Sequence, residues 1–219
     1  MVKSTQAIVS PAADVRTAQK ILDAARSVFL RRGTAAARMH DIAKAAGVNQ
    51  ALLHYYFRSK AQLADAVFAQ AAAQLFPPVV EALASDASIE DKVRQVVKIE
   101  LDILSQTPHL PAYIIGEIGQ APERAAQFLD AAQRLKSNGS LNRMRAALQS
   151  QIDACVTDGI MRKISAQQFL TNLLALCIFP FATRPMMQAV LNLDDRGFDR
   201  FLKSRKKEIP DFFLRALRP

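Results

Sequence analysis

Four side chains near residue 50 have the chemistry to contact nucleic acid from one face of a helix. Gln50 and Ala51 are followed one helical turn later by His54 and Tyr55, a spacing that places all four on the same side. A glutamine amide can make two hydrogen bonds to adenine, and an alanine methyl can contact the methyl of thymine. His and Tyr can donate hydrogen bonds to phosphates without adding a fixed charge. The pattern predicts a surface that contacts both the bases and the backbone of duplex DNA.

The charge of the chain is concentrated around this segment. Residues 1–60 contain ten Lys and Arg but three Asp and Glu, a net charge of +7, whereas residues 61–219 have a net charge of +2. A basic block can attract nucleic acid, anionic lipid or an acidic protein, and composition alone leaves these alternatives open. Together with the four side chains, the charge favours nucleic acid over an ordinary helical hairpin with a solvated polar face.

The spacing of three residues predicts a helix-turn-helix that would position this surface. Ala43 is small enough for close contact between two helices, Gly47 suits a turn with positive φ, and Leu53 can anchor the second helix in the core. Asn49 is a good N-cap for that second helix. Further inward positions are expected at Ile42, Ala46, Val48 and Tyr56.

The whole chain is predicted to be all-α. It has seven glycines and ten prolines in 219 residues, half of which are hydrophobic, and apolar residues recur at helical spacing. Residues 1–13 are expected to be a flexible tail, 14–60 a three-helix DNA-binding domain, and 61–219 a larger helical domain. Pro77 and Pro78 are expected to break or kink the fourth helix. Further helices are predicted at 80–85, 89–106, 110–119, 122–136, 140–158, 165–179, 183–192 and 196–217.

Several classes of protein are disfavoured by the same sequence. The two cysteines and three histidines lack the spacing of a metal site, and no Gly-rich phosphate loop or nucleophile–base motif indicates an enzyme or a cofactor. The longest apolar stretch, 169–182, is interrupted and too short to span a bilayer. No signal peptide is evident at the N-terminus. We therefore expect a cytoplasmic protein with reduced cysteines, no membrane association and no catalytic site.

The segment 17–68 resembles the N-terminal domain of TetR/AcrR-family transcriptional regulators. The resemblance is carried by ILDAARSVFLRRG and MHDIAKAAGVNQALLHYYFRSKAQLADAVF, most specifically by DIAKAAGV, LLHYYF and the SK that opens the next helix. It implies a homodimer that binds a near-palindromic double-stranded operator and responds to a small molecule. By position, Asn49, Gln50 and Ala51 approach bases or begin the recognition helix. His54 and Tyr55 contact the DNA backbone, and Lys60 contacts a phosphate at a helix start.

Three residues depart from the family pattern. Arg38 stands where a Ser or Thr usually caps the second helix. Thr34 or water must cap the helix instead, or the helix start has shifted. Arg38 could alternatively give one more phosphate contact. His54 replaces the commoner Tyr and can make the backbone contact weaker or pH-sensitive. Arg58 adds charge near the DNA.

The remaining residues resemble the family's helical regulatory and dimerisation domain in outline. The apolar stripes of 140–158 and 165–179 are the predicted dimer interface, unless both face only the core of their own subunit. In helix 110–119, Tyr113 and Glu117 lie on an apolar face. Glu117 is predicted either to pair inside the core or to face a ligand cavity. Phe128, Phe179 and Met186 are candidates for the same cavity or for the core.

The sequence therefore predicts a ligand-responsive DNA-binding transcriptional regulator, most simply a repressor released from its operator by a small apolar molecule. The alternative is an architectural or cell-division-linked DNA-binding protein without a small-molecule effector. A cavity beside Glu117 would favour the ligand-responsive regulator, whereas many chromosomal binding sites would favour the architectural protein.

Overall fold

The computed structural model describes residues 11–120, 122 and 140–219, and within these ranges the chain forms ten helices and no strand. The predicted all-α fold is therefore confirmed. The chain divides into two compact units, Met1–Phe68 and Ala69–Pro219. The helices are α1 (Pro11–Ala36), α2 (Met39–Ala46), α3 (Gln50–Tyr56), α4 (Lys60–Ala84), α5 (Ile89–Gln106), α6 (Leu110–Gln120), α7 (Ser140–Thr157), α8 (Ala166–Ala182), α9 (Arg184–Leu191) and α10 (Asp195–Ala216).

The first unit is built around α1. Apolar residues of α1 at three- and four-residue spacing are fully buried, because they form the face against which α2 packs; α3 packs against α2 in turn. Gly33 has φ 73° and ψ 160°, so the helical geometry of α1 is interrupted at this residue. The core of this unit comprises Ile21, Ala25, Val28, Phe29, Ala37, Ile42, Ala43, Ala46, Leu53, Leu63, Ala64, Val67 and Phe68.

The fourth helix continues where a break is predicted. Pro77 and Pro78 lie inside α4, which extends to Ala84 and includes the residues predicted as a separate helix at 80–85. A proline ring fixes φ near its helical value, and each proline removes only one backbone donor. The buried residues Val79, Val80 and Leu83 anchor the helix beyond the prolines. Among the described residues, α4 is long and apolar enough to cross a membrane, yet half of its most apolar window is buried inside the protein, as expected of a core helix.

The second unit packs around α8. This helix contacts α5, α6, α7, α9 and α10, and α5 also packs against α10. Phe169, Leu173, Cys177 and Phe181 of α8 are buried at helical spacing, so one apolar face of this helix lies in the core. The predicted helix at 122–136 lies outside the described residues.

Side-chain caps begin several of these helices. Ser88 accepts a hydrogen bond from the backbone N–H of Asp91 at 3.1 Å, and Ser165 accepts one from Gln168 at 3.3 Å. Asp194 does the same for Gly197 at 2.6 Å. Each cap satisfies a backbone donor that the first turn leaves without an intrahelical partner.

A cross-helix hydrogen bond compensates for the proline inside α8. Pro180 has no N–H, so the carbonyl of Leu176 one turn earlier lacks its usual helical donor. Arg205 of α10 supplies a replacement, because its Nη2 donates to this carbonyl at 2.7 Å. The half-buried guanidinium also lies over the ring of Phe201, 5.5 Å from its centroid. Arg205 therefore joins α10 to α8.

Candidate nucleic-acid interface

The predicted turn between α2 and α3 is confirmed in the structure. Gly47 adopts φ 64° and ψ 35°, the left-handed region that glycine enters without a Cβ penalty. Its N–H donates to the carbonyl of Lys44 at 3.2 Å, and the N–H of Val48 donates to Ala43 at 3.0 Å. These bonds satisfy the last carbonyls of α2 and turn the chain toward α3.

The recognition helix α3 has a capped beginning and one fully buried anchor. The side chain of Asn49 accepts a hydrogen bond from the N–H of Leu52 at 2.7 Å, which confirms the predicted N-cap. Leu53 is completely buried, as predicted, and with Ala43 it brings α3 against α2. Leu52 is 36% exposed. The orientation of α3 is thus set largely by Leu53 and by contacts at its two ends.

The face of α3 opposite Leu53 is open to solvent. Gln50, Ala51, His54 and Tyr55 are all exposed, and Tyr55 is 73% exposed. The ring of Tyr55 makes an edge contact with the ring of Tyr56, with centroids 5.3 Å apart and planes at 86°. The structure thus brings the four predicted contact residues together on one accessible surface. A polar, uncharged face of this kind can present hydrogen-bonding groups to a DNA groove.

Lys60 makes contacts that the sequence does not reveal. It is the first residue of α4, and its ammonium group donates to the carbonyls of Ala35 at 3.0 Å and Ala37 at 3.2 Å. Both carbonyls follow Gly33, where the helical geometry of α1 is interrupted, so Lys60 binds the segment that joins α1 to α2. Among the described residues, two of the three ammonium N–H groups are used in this way.

Arg38 occupies the N-cap position of α2 without capping it. Its backbone is extended, its side chain is exposed, and it makes no capping hydrogen bond. Asp41, in the first turn of α2, accepts a hydrogen bond from Arg32 at 3.1 Å and supplies the negative charge that a helix N-terminus favours. The guanidinium of Arg38 is therefore directed to solvent beside the α2–α3 segment.

Sequence reasoning missed one residue of α1 that belongs to this site. The hydroxyl of Tyr56 donates a hydrogen bond to the carboxylate of Asp14. The hydrogen bond to Asp14 is the main cause that raises the pKa of Tyr56 above its ordinary value. Asp14 is 42 residues from its partner, so no local pattern could have indicated the pair.

The candidate ligand residues of the second unit have different environments. Tyr113 and Glu117 are buried on α6, whereas Phe179 and Met186 each have half of their surface exposed. Phe179 lines an open groove between α8 and α10 of about 490 Å³ that includes neither Tyr113, Glu117 nor Met186. Phe128 lies outside the described residues.

A second buried carboxylate in this unit was not predicted. Glu100 of α5 is 4% exposed, and its Oε2 has no hydrogen-bond partner among the described residues. Burial raises the pKa of Glu100 to about 7 and that of the nearby Cys177 thiol to about 12, because both charged forms are poorly solvated there. The signal in the sequence was a Glu on the apolar stripe of helix 89–106, the same signal that singled out Glu117. Among the described residues, no group of three or more His, Cys, Asp or Glu is placed to hold a metal ion.

The first unit thus has the architecture of a helix-turn-helix DNA-binding domain, with a capped recognition helix that exposes its polar face. Residues 21–67 match the model of the bacterial regulatory proteins of the tetR family. The chain is 30% identical over 149 residues to the HTH-type transcriptional regulator BetI of Agrobacterium fabrum, covering 64% of this chain and 72% of that protein. The chain belongs to the TetR family of transcriptional regulators.

Other relatives agree with this assignment. BetI of Rhizobium meliloti is 31% identical over 121 residues, which is 54% of this chain and 60% of that relative. Among solved structures, the hemolysin II transcriptional regulator HlyIIR aligns with a TM-score of 0.60 at 20% identity, over 94% of this chain and 98% of its own. The ketosteroid regulator KstR2 of Mycobacterium tuberculosis aligns with a TM-score of 0.66 at 15% identity, over 92% of this chain and 95% of its own. The predicted class, a DNA-binding regulator and not an enzyme, is confirmed by these relatives.

Proposed function

We propose that this protein is a cytoplasmic repressor that binds a near-palindromic operator as a homodimer and is released by a small, mainly apolar molecule. The observation that carries the proposal is the exposed face of α3, where Gln50 and Ala51 are held one turn from His54 and Tyr55. Gln50 and Ala51 supply base contacts, and His54 and Tyr55 supply backbone contacts. The net charge of +7 in residues 1–60 supports attraction to phosphate.

The dimer interface is assigned to α8 and α10. The apolar stripe of α7 is an unsuitable partner surface because Met144, Leu148 and Ile152 are buried in the core of their own subunit. Phe179 on α8 and Phe212 on α10 are 50% and 64% exposed, and both line the open groove between these helices. Large exposed aromatic residues that flank a groove are typical of a protein interface. A second copy packing here would form a bundle of four helices.

We place the effector site in the interior of the second unit, near the buried polar side chains of α6, since the groove between α8 and α10 does not include them. Glu117 and Tyr113 are two buried polar side chains on an otherwise apolar helix face. Binding sites for small molecules are usually apolar with a few such orienting groups. A ligand that favours a dimer geometry unsuited to the operator would lower DNA affinity by the same factor by which DNA lowers ligand affinity.

A selection experiment tests the proposal. Full-length protein is incubated with a duplex library containing 40 randomised base pairs, and the bound sequences are amplified and compared. We expect two inverted half-sites whose centres lie about one helical turn apart, roughly 34–36 Å, and two protein chains per selected duplex by light scattering. Enrichment of a single half-site, or binding without sequence preference, would contradict the proposal and favour an architectural role.

A further inference from the structure

A phenol group attaches the recognition helix to α1. Tyr56 is the last residue of α3, and its hydroxyl donates to Asp14 in the first turn of α1. The phenol therefore uses its donor on a residue of another helix. We call Asp14 and Tyr56 the α1 clamp.

The clamp matters because α3 has little else to hold it. Leu53 is the one fully buried residue of this seven-residue helix, and the side chain of Asn49 caps the start of the helix without contacting α1 or α2 through that bond. An anchor at Leu53 fixes where α3 lies but opposes rotation about that point only weakly. The phenol of Tyr56 lies three residues beyond the anchor, so its attachment to α1 opposes such rotation. Rotation of α3 would move Gln50 away from a base edge.

We propose that Asp14 acts through Tyr56 as a positioning residue that sets the sequence specificity of the recognition helix. The inference rests on the proposed function, since it assumes that α3 contacts bases. Asp14 has an unfavourable charge for a DNA-binding surface, because its carboxylate repels phosphate. A positioning role explains its presence there.

Two substitutions separate positioning from simple electrostatics. Asp14→Ala removes the acceptor together with a negative charge, and Asp23→Ala removes the same charge from an exposed position on the same helix. Affinities are measured for the duplex selected by the wild-type protein and for a duplex of equal length without that sequence. We expect Asp23→Ala to tighten both complexes slightly and equally. Asp14→Ala should lower the ratio of specific to non-specific affinity about fivefold, the effect of one ordinary hydrogen bond.

Tyr56→Phe removes the hydroxyl and keeps the ring. We expect the same loss of about fivefold in the specificity ratio, and no further loss in the double variant with Asp14→Ala, because both changes break one interaction. Losses that multiply, or a specificity ratio that stays at its wild-type value in Tyr56→Phe, would overturn the inference.

Amide hydrogen exchange tests the clamp without DNA. In Tyr56→Phe, the amides of α3 should exchange about fivefold faster relative to those of α2, while the buried amides of α5 remain unchanged. Unchanged protection of α3 would overturn the inference independently of any DNA measurement. If the wild-type protein selected no duplex, the proposed function would fail, and the exchange result would still decide whether α1 holds α3 in place.

Discussion

The ammonium group of Lys60 lies 3.0 Å from the carbonyl oxygen of Ala35, so the first residue of α4 is bound to the last turn of α1. A second bond to Ala37 extends this contact into the segment that leads to α2. The family resemblance assigns Lys60 a phosphate contact. Its third N–H remains for that purpose, and a cation already held by two carbonyls loses little freedom when it meets a phosphate.

Replacing Lys60 by Met should therefore have two measurable effects. Loss of the carbonyl contacts should lower the free energy of unfolding by about 1 kcal/mol, measured by urea denaturation. Loss of the phosphate contact should weaken binding to all duplexes alike and reduce the slope of log affinity against log salt by about one unit. Lys163→Met, at an exposed position of the second unit, should change neither quantity. An unchanged salt slope in Lys60→Met would show that Lys60 contacts the two carbonyls and no phosphate.

Replacing Gln50 by Ala should affect specificity and leave stability nearly unchanged. Gln50 is exposed at the start of α3, so its loss costs little in the free protein. On the selected duplex the variant should lose about 1–3 kcal/mol of binding free energy and tolerate other bases at one position of each half-site. Fluorescence anisotropy with single-base variants of the duplex measures both effects. Gln106→Ala, exposed at the end of α5, is the control, and a uniform loss on every duplex would show that Gln50 contacts the backbone.

Replacing Phe212 by Glu should convert a dimer into monomers. Phe212 is largely exposed beside the groove between α8 and α10, so the isolated subunit tolerates the change, whereas burial of an unpaired carboxylate in the interface is costly. Analytical ultracentrifugation should show loss of the dimer, and affinity for the two-half-site duplex should fall with it. Arg143→Glu on α7 provides a comparison at an exposed residue outside this face. A variant that remains dimeric would place the interface elsewhere.

Glu100 should make stability fall with rising pH. Its pKa in the folded protein is raised to about 7 from an ordinary 4.5, so the folded state retains a proton that the unfolded state releases. The contribution of Glu100 to the free energy of unfolding is therefore highest below about pH 4.5. It falls by about 3 kcal/mol between that pH and about pH 7.

Glu100→Gln should remove this decline and be more stable than the wild type at pH 8, as measured by urea denaturation at pH 5 and pH 8. Glu81→Gln, at an exposed position on α4, should keep the wild-type dependence. If Glu100→Gln retains the same decline, groups other than Glu100 cause it, and the raised pKa of Glu100 is contradicted.

The local features of the DNA-binding unit were predictable because each depends on residues close together in the chain. The N-cap at Asn49, the left-handed turn at Gly47 and the anchor at Leu53 follow from side-chain size, backbone freedom and hydrogen bonding within one or two turns. The exposed face of α3 then follows from helical periodicity. The sequence alone therefore determined the helix-turn-helix and the side chains it exposes.

Tertiary structure decided which partners these elements meet. The bonds from Tyr56 to Asp14 and from Lys60 to Ala35 join residues 42 and 25 positions apart, and no local pattern encodes such distances. Likewise, the apolar stripes of α7 and α8 looked alike in the sequence, and the main residues of both face the subunit core. Phe179, which lies off the buried stripe of α8, is instead exposed beside the groove together with Phe212 of α10. An apolar face specifies burial without specifying against what, because the hydrophobic effect has no direction. Packing of the whole chain makes that choice.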